Sequence, residues 1–482
     1  MRISLVNPNL SGDVSILDIG LTYLATYINA RTQHRASIID FTFHAKEWQR
    51  HLERQLDKHQ PDVVGITCTS LYLHYVQAIA GKIKQWRDIS IICGGYHASL
   101  DPEDTMGVPG VDAVCIGDGE FTLSEYLDAL EEKRRPDNIP GLWFRRNGGI
   151  VKNPLRDLIR DIDSLPLPDY DLWEDIDDYL YFNQLLYFMG TRGCPYNCTY
   201  CSEYPMRQAV PGRHYRERNP RAFAREIKQQ WDKYKYRNMK LAHAFDPVFS
   251  YDKEWLKDFC DEYRKIGMPQ QLPFSCFSRA DLLDEEKIRI LAQAGCKIVR
   301  IGVEAGNYHI RRDIYQKDIT NEKFIEVVQL CKKYGLGITS YYILGGPGEN
   351  LSTLRDTFNL ARCLDANRPV FFIYQPLPHT QAREKLLELG GTIEEERMRH
   401  IDSLHHASAI RTRELKPIQI EIFQYKCLIY FMGKRILRLF KKQKLRLLGN
   451  FFRYFIRARR KGVPLWYAIA YFLICCDDNL IS

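Results

Sequence analysis

The chain has 482 residues, a formal net charge of +8 and fourteen cysteines. At this length two or three domains with large cores are expected. No apolar run reaches the roughly twenty residues of a membrane-spanning helix, and the start reads as a strand rather than a secretory leader. Cysteines set among apolar residues, as at Cys68, Cys93, Cys115, Cys296 and Cys331, suit reduced, buried thiols in the cytoplasm rather than a disulfide framework.

Strand and helix patterns alternate from the first residue. Apolar, strand-like runs fall at residues 3–6, 36–39, 63–68, 89–95 and 111–117. Helical spacing separates them at 21–28, at 48–56 and through Val76, Ile79 and Ile83. This predicts a doubly wound parallel sheet over residues 1–145. Ligands of such sheets bind at the carboxyl ends of the strands. The loops there hold residues 7–9, then Thr69 and Ser70, then Gly94, Gly95 and His97, then Gly117, Gly119 and Glu120. Glycines permit close backbone approach, and hydroxyls bond polar ligand edges. None of these loops is specific alone, and a merely structural Rossmann-like sheet would also carry them. A hairpin is predicted at 141–152 around Asn147-Gly148-Gly149. The Asp- and Pro-rich stretch that follows reads as a connector, with residues 146–180 forming the linker.

Next comes Gly193-Cys194-Pro195-Tyr196-Asn197-Cys198-Thr199-Tyr200-Cys201. Cys194, Cys198 and Cys201 are close enough to face one metal site from a single loop, as in iron–sulfur proteins. A 4Fe–4S cluster has four irons, so three cysteines leave one open for chemistry. Zinc would want a fourth ligand, and the next cysteines, Cys260 and Cys276, show no paired spacing. Strand–helix units recur at 186–190, 239–245, 274–277, 298–303, 338–344 and 370–374. They predict a partial (βα)6 barrel over residues 181–390, with function at the strand ends.

The run CPYNCTYC closely resembles the signature of the radical S-adenosylmethionine (SAM) superfamily. By the order of its loops, the N-terminal domain resembles the cobalamin-binding domain fused in front of many such enzymes. The resemblance implies a 4Fe–4S cluster, SAM on the open iron, a 5′-deoxyadenosyl radical, and an external electron donor such as flavodoxin or ferredoxin. It sets Tyr200 against adenine and the segment of Gly302 and Glu304 near the ribose and methionine part. It also sets Gly345 and Gly346, in a GxPGE-like turn, against adenine. Ordinary aromatic packing for Tyr200 and helix capping for Glu304 remain alternatives. Cobalamin is expected on the loops of Thr69, Ser70, Gly94, Gly95, His97, Gly117, Gly119 and Glu120. The DxHxxG motif is missing, so His97 is not expected on cobalt and the corrinoid should be base-off. The chain departs from the family twice. Asp246 is followed by Pro247 where a second acid is common, and His379 stands where Gly is common. His379 is a candidate proton donor or substrate ligand, or a satisfied loop histidine.

Residues 391–482 read as a helical, basic region. Between 431 and 461 twelve Lys and Arg alternate with apolar residues and no acid interrupts them. This suits an interfacial helix on anionic lipid, a plain helical cap, or RNA binding, in that order, and no nucleic acid is expected. A short apolar helix is expected at 465–475.

The whole reads as a cobalamin-dependent radical SAM enzyme that methylates an unactivated carbon of a hydrophobic small molecule. In the implied scheme methylcobalamin supplies the methyl group, and SAM serves both radical formation and remethylation. Ring formation, oxidation or skeleton rearrangement, as in tetrapyrrole or hopanoid biosynthesis, is the enzymatic alternative. A cobalamin-sensing or electron-transfer protein is the non-enzymatic one.

Overall fold

The computed structural model describes residues 1–14, 17–237, 239–401, 407–441, 446–461 and 463. They form two units. The first is built on Met1–Asp178 and Ser202–Arg216, the second on Tyr179–Cys201 and Glu217–Ala458.

The first unit holds a seven-stranded sheet of order β2-β1-β3-β4-β5-β6-β7. The strands are β1 (Arg2–Asn7), β2 (Arg35–Asp40), β3 (Val63–Thr67), β4 (Ser90–Gly94), β5 (Ala113–Cys115), β6 (Leu142–Arg146) and β7 (Gly149–Lys152). β1 to β5 pair in parallel. Helices cover both faces, which is why Val63, Val64 and Ile66 form an unbroken apolar run instead of alternating. The expected hairpin forms as β6 and β7 and adds an antiparallel margin beside β5. It thereby covers an edge that would otherwise be unpaired. The Asp- and Pro-rich segment lies along this unit. Trp173 is buried, and its indole N–H donates to Thr22 Oγ1 at 2.9 Å. Ile159, Ile162 and Leu165 pack with Tyr27 and Phe121.

The second unit is a curled sheet of six parallel strands. In chain order they are Leu185–Phe188, Leu241–Ala244, Phe274–Ser278, Cys296–Glu304, Gly337–Leu344 and Arg368–Ile373. Each pairs with its chain neighbour, as the six-unit half barrel requires. Alternate residues sort by face. Cys276, Val299, Ile301, Val303, Ile338 and Leu344 are fully buried beneath the helices. Phe277, Arg300, Tyr341 and Phe372 point the other way and are half-buried. The helices present matching stripes. In Lys253–Lys265 the buried residues include Leu256, Phe259, Cys260 and Tyr263, and Asp252 caps the first turn through Trp255 N–H.

The C-terminal region, expected to be helical throughout, opens with a short antiparallel strand pair, Thr392–Ile393 with Ile410–Arg411, and is helical over Glu395–Arg399, Pro417–Lys441 and Arg446–Arg460. The helix Pro417–Lys441 covers the outside of the sixth barrel strand. Phe431 stacks on Phe371 at 5.5 Å, and Gln424 donates to the Phe371 carbonyl at 2.7 Å. Its other face leaves Ile418, Ile422, Tyr425 and Ile429 exposed. Part of the basic face is neutralised, since Lys434 and Arg438 both pair with Asp365. In the helix Arg446–Arg460, Arg457 lies 3.9 Å over the Tyr181 ring. The predicted apolar helix at 465–475 lies outside the described residues.

Candidate active site

The cysteine loop leaves the first barrel strand after Gly190, where any side chain would strike Phe223 and Trp255. Cys198 is buried, and Cys194 and Cys201 are half-buried. Thr199 pins the loop. Its N–H and hydroxyl donate to the carbonyls of Tyr315 and Ile314, at 3.3 and 2.6 Å. Those acceptors lie in and just after a π-helical turn, Ile310–Ile314. Such turns free carbonyls that an α-helix would consume. Arg279, just past the third barrel strand, donates to Cys198 Sγ at 3.5 Å and lies 3.7 Å over the Tyr196 ring. Asp281 holds the guanidinium there through two hydrogen bonds.

Tyr200 and Glu304 come together. The phenol donates to Glu304 Oε1 at 2.7 Å, and Lys317 Nζ donates to the same oxygen at 2.9 Å. Glu304 and Lys317 are both buried. The Tyr200 ring also meets Tyr315 edge-on at 5.1 Å. The candidate glycines have internal reasons to be glycine. A side chain at Gly302 would occupy the space of the Glu304 carboxylate and would reach Lys317 Nζ at 2.9 Å. One at Gly346 would strike the Tyr315 hydroxyl, and one at Gly345 would meet Ile420. The N–H groups of Gly345 and Gly346 both donate to Glu349 Oε2, at 2.7 and 2.9 Å. Glu349 is fully buried, and burial pushes its carboxyl up to about 8 against the pull of those amides.

Asp246 sits at the end of the second barrel strand, fully buried, and burial pushes it up to about 7. Thr191 and the backbone beside it pull the other way. His379 is exposed and takes a left-handed backbone, with φ of +58°. That is a conformation glycine adopts without steric cost.

In the first unit the strand-end loops behave differently from one another. Thr69, Gly95 and Tyr96 are exposed, and Ser70, Gly94, Gly117 and Gly119 are half-buried. Gly95 and Gly117 need positive φ, at +101° and +84°. Glu120 is buried at the start of the helix Gly119–Glu131. His97 is buried and engaged at both ring nitrogens, with Ser70 Oγ at 3.0 Å and Asp104 Oδ2 at 3.1 Å. Both nitrogens are thus engaged within the protein, and the ring orients Ser70.

Two family models match the chain: the radical SAM superfamily over residues 189–361 and the B12 binding domain over residues 11–127. The uncharacterized methyltransferase PH0819 of Pyrococcus horikoshii is 30% identical, over 76% of this chain and 77% of its own. An anaerobic magnesium-protoporphyrin IX monomethyl ester cyclase of Rubrivivax gelatinosus is 25% identical, over 82% and 71%. Among solved structures, the radical SAM methyltransferase TsrM of Kitasatospora setae shares the fold. Its TM-score is 0.67 at 22% identity, over 80% of this chain and 76% of that one. The chain belongs to the radical SAM superfamily and carries its B12-binding domain. It is an enzyme whose cofactors are a 4Fe–4S cluster, SAM and cobalamin.

The residues fit these groups. The three thiols stand on one pinned loop beside a cation, and no three described His, Cys, Asp or Glu converge on a single ion. A cubane cluster binds each thiolate at a different iron, so its ligands stand apart. In the first unit, exposed glycine and hydroxyl loops end the parallel strands, where such sheets take ligands. The sequence reading missed Lys317, Tyr315 and Arg279. Only Arg279 carried a signal, as a charged residue directly after a barrel strand.

Two variants test this geometry. Glu349 holds a proton, when folded, that the unfolded chain releases above about pH 4.5. The unfolded state then binds fewer protons, so stability falls as pH rises from about 4.5 to about 8. Glu349→Gln keeps the acceptor and removes the ionisation. Its urea midpoint is expected to match wild type near pH 5 and exceed it near pH 8.5. His379→Gly is expected to raise stability by about 0.5–1 kcal/mol, because it removes left-handed strain. SAM cleavage to deoxyadenosine is expected to persist, and its loss would assign His379 to the chemistry.

Proposed function

We propose that this enzyme transfers a methyl group to an unactivated carbon of a hydrophobic small molecule. The observation that carries the reading is one chain holding both a pinned three-cysteine loop on a half barrel and a B12-binding sheet. When bound, the cluster and SAM supply a carbon-centred radical, and the corrinoid supplies the methyl group. The protein's share is placement. Cys194, Cys198 and Cys201 hold the cluster, with Arg279 beside Cys198. Tyr200, Gly302, Glu304, Gly345 and Gly346 form the SAM-facing rim. Thr69, Ser70, Gly94, Gly95, Gly117, Gly119 and Glu120 face the corrinoid, with His97 behind Ser70. The reading assigns residues 1–145 to corrinoid binding and 181–390 to SAM. A flavodoxin or ferredoxin supplies electrons. The twelve described cysteines are all free, which suits the cytoplasm. Ring closure is the second reading, favoured by the likeness to the cyclase.

A peripheral contact with anionic lipid accompanies this reading. No described helix is long and apolar enough to cross a membrane. The helix Pro417–Lys441 instead exposes Ile418, Ile422, Tyr425 and Ile429 at spacings of four, three and four. After Glu421 no acid follows before Asp477. Two copies meeting on this face would bring like charges together, whereas an anionic surface would neutralise them at about 1 kcal/mol per cation.

Two outcomes are expected. After anaerobic reconstitution, the triple variant Cys194→Ala, Cys198→Ala, Cys201→Ala makes no deoxyadenosine, and cleavage that survives it would refute the cluster assignment. The intact chain co-sediments with vesicles containing phosphatidylserine, less so as salt rises. Ile422→Glu with Ile429→Glu abolishes that binding. Equal sedimentation of variant and wild type, or with neutral vesicles, would leave the helix a plain cap.

A further inference from the structure

We infer that Arg300, on the inner face of the half barrel, holds the acid group of a flat aromatic or polycyclic substrate. This rests on the enzymatic reading above and names the substrate class for it.

The inner face is an aromatic row. His243 lies 5.6 Å from the Tyr187 ring and 5.1 Å from Phe277. Phe277 lies 6.0 Å from Tyr341, which stacks on Phe372 at 5.8 Å with planes 3° apart. Tyr187 and His243, at one end of the row, are buried as core rings are, and the other three are not. Their neighbours on the helix side, Cys276, Tyr342, Phe371 and Ile373, are buried, yet Phe277, Tyr341 and Phe372 are only half-buried. The helices cover one side of the sheet and leave the aromatic side for something else. Half-covered aromatic surface on a concave face is what apolar ligands bind.

The row holds charge as well as rings. Arg300 projects from the fourth strand between Phe277 and Tyr341. Its guanidinium is 5.8 Å from the Phe277 centroid, and Nη1 donates to the Tyr341 hydroxyl at 3.2 Å. Arg300 is in register with Thr339, and Thr339 with Arg368, so two arginines share one layer of the sheet. Adjacent strands are about 4.8 Å apart, which spaces the two by about 10 Å along the sheet. Burial and then Arg300 hold the His243 imidazole well below its usual pKa, with Arg368 adding to the effect. The inner face therefore combines aromatic walls with positive potential. A planar guanidinium in such surroundings matches a carboxylate or phosphate through paired hydrogen bonds. Arg300 lies four residues before Glu304, about 13 Å deeper along the strand. That separates it from the rim assigned to SAM and places a bound molecule inside the barrel beneath it.

Fluorescence titration of the reconstituted protein with 2-naphthylacetate, its methyl ester and 2-naphthyl phosphate tests the inference. At least one acid is expected to bind tenfold or more tightly than the neutral ester, and the tighter acid identifies the group. Arg300→Gln is expected to erase the preference while leaving ester affinity within about twofold. Arg300→Lys should keep part of the preference, and Tyr341→Ala or Phe372→Ala should weaken all three ligands together. Equal binding of acids and ester by wild type would overturn the inference, as would a preference that survives Arg300→Gln. Should Arg300→Gln not fold, the wild-type ratio and Tyr341→Ala decide, and ester affinity untouched by Tyr341→Ala would overturn it. Protein that cleaves SAM without an acid preference refutes this inference alone. Protein with the preference but no cleavage refutes the enzymatic reading instead.

Discussion

One buried carboxylate ties the cysteine loop to the barrel. Glu304 Oε1 accepts from Tyr200, the residue before the last cysteine, and from Lys317 beyond the π-helical turn. A buried charge is tolerated only when paired and hydrogen-bonded, and removing one partner of such a pair costs about 3–5 kcal/mol. The neighbourhood is arranged to keep it paired. Gly302 has no side chain, so the carboxylate folds back over the strand. Arg311, fully buried, fastens the connecting loop by donating to the carbonyls of Ala305 and Ile319. Loss of this pair would release Tyr200 and, with it, the loop whose other anchor is Thr199.

The same economy of space explains the fifth strand's turn. Glu349 closes the turn by accepting from Gly345 and Gly346, while Tyr315 and Ile420 fill the volume the two glycines leave. Tyr315 thus serves both rim segments. Its ring contacts Tyr200, its hydroxyl packs on Gly346, and its carbonyl accepts from Thr199. The rim behaves as one packed unit, so a substitution in the turn is felt at the cysteine loop.

Much of this was legible in the chain. Alternating apolar runs located all five parallel strands of the first unit and all six of the barrel, because buried parallel strands are continuous hydrophobic stretches bounded by glycine or polar loops. Three cysteines at short spacing declared the cluster loop, because their proximity is set by sequence alone. What could not be read was the packing around each glycine. Gly345 and Gly346 suggested backbone approach to adenine, and the packing adds a second reason the chain did not show: the space beside Gly302, Gly345 and Gly346 is taken by Glu304, Ile420 and Tyr315, the last two distant in sequence. His97, in a glycine-rich loop, was open to helping bind a cofactor or to capping the loop. The helical turn that follows buries it between Ser70 and Asp104. Likewise, the basic stretch from 431 onward suggested a free amphipathic face. Asp365, far upstream, takes two of its cations, and the exposed apolar stripe begins earlier, at Ile418.

Two of the left-handed non-glycine residues lie at the same rim. Glu304 and His379 both adopt left-handed φ without being glycine, at +66° and +58°, beyond the fourth and sixth barrel strands. Such residues cost of order 1–3 kcal/mol and persist only where the surroundings overdetermine them. At Glu304 the surroundings are evident, since two hydrogen bonds, one of them from the buried Lys317 ammonium, fix the carboxylate. His379, by contrast, is exposed and would lose nothing sterically by being glycine. A strained side chain held by contacts belongs to the architecture. One whose strain is unrelieved by burial is retained for what its ring meets at the barrel mouth or tolerated because the turn is sufficiently braced by Thr380, whose hydroxyl donates to the Leu377 carbonyl at 2.7 Å. That brace survives replacement of His379 by glycine, so stability and turnover respond to the change independently, and the two explanations separate.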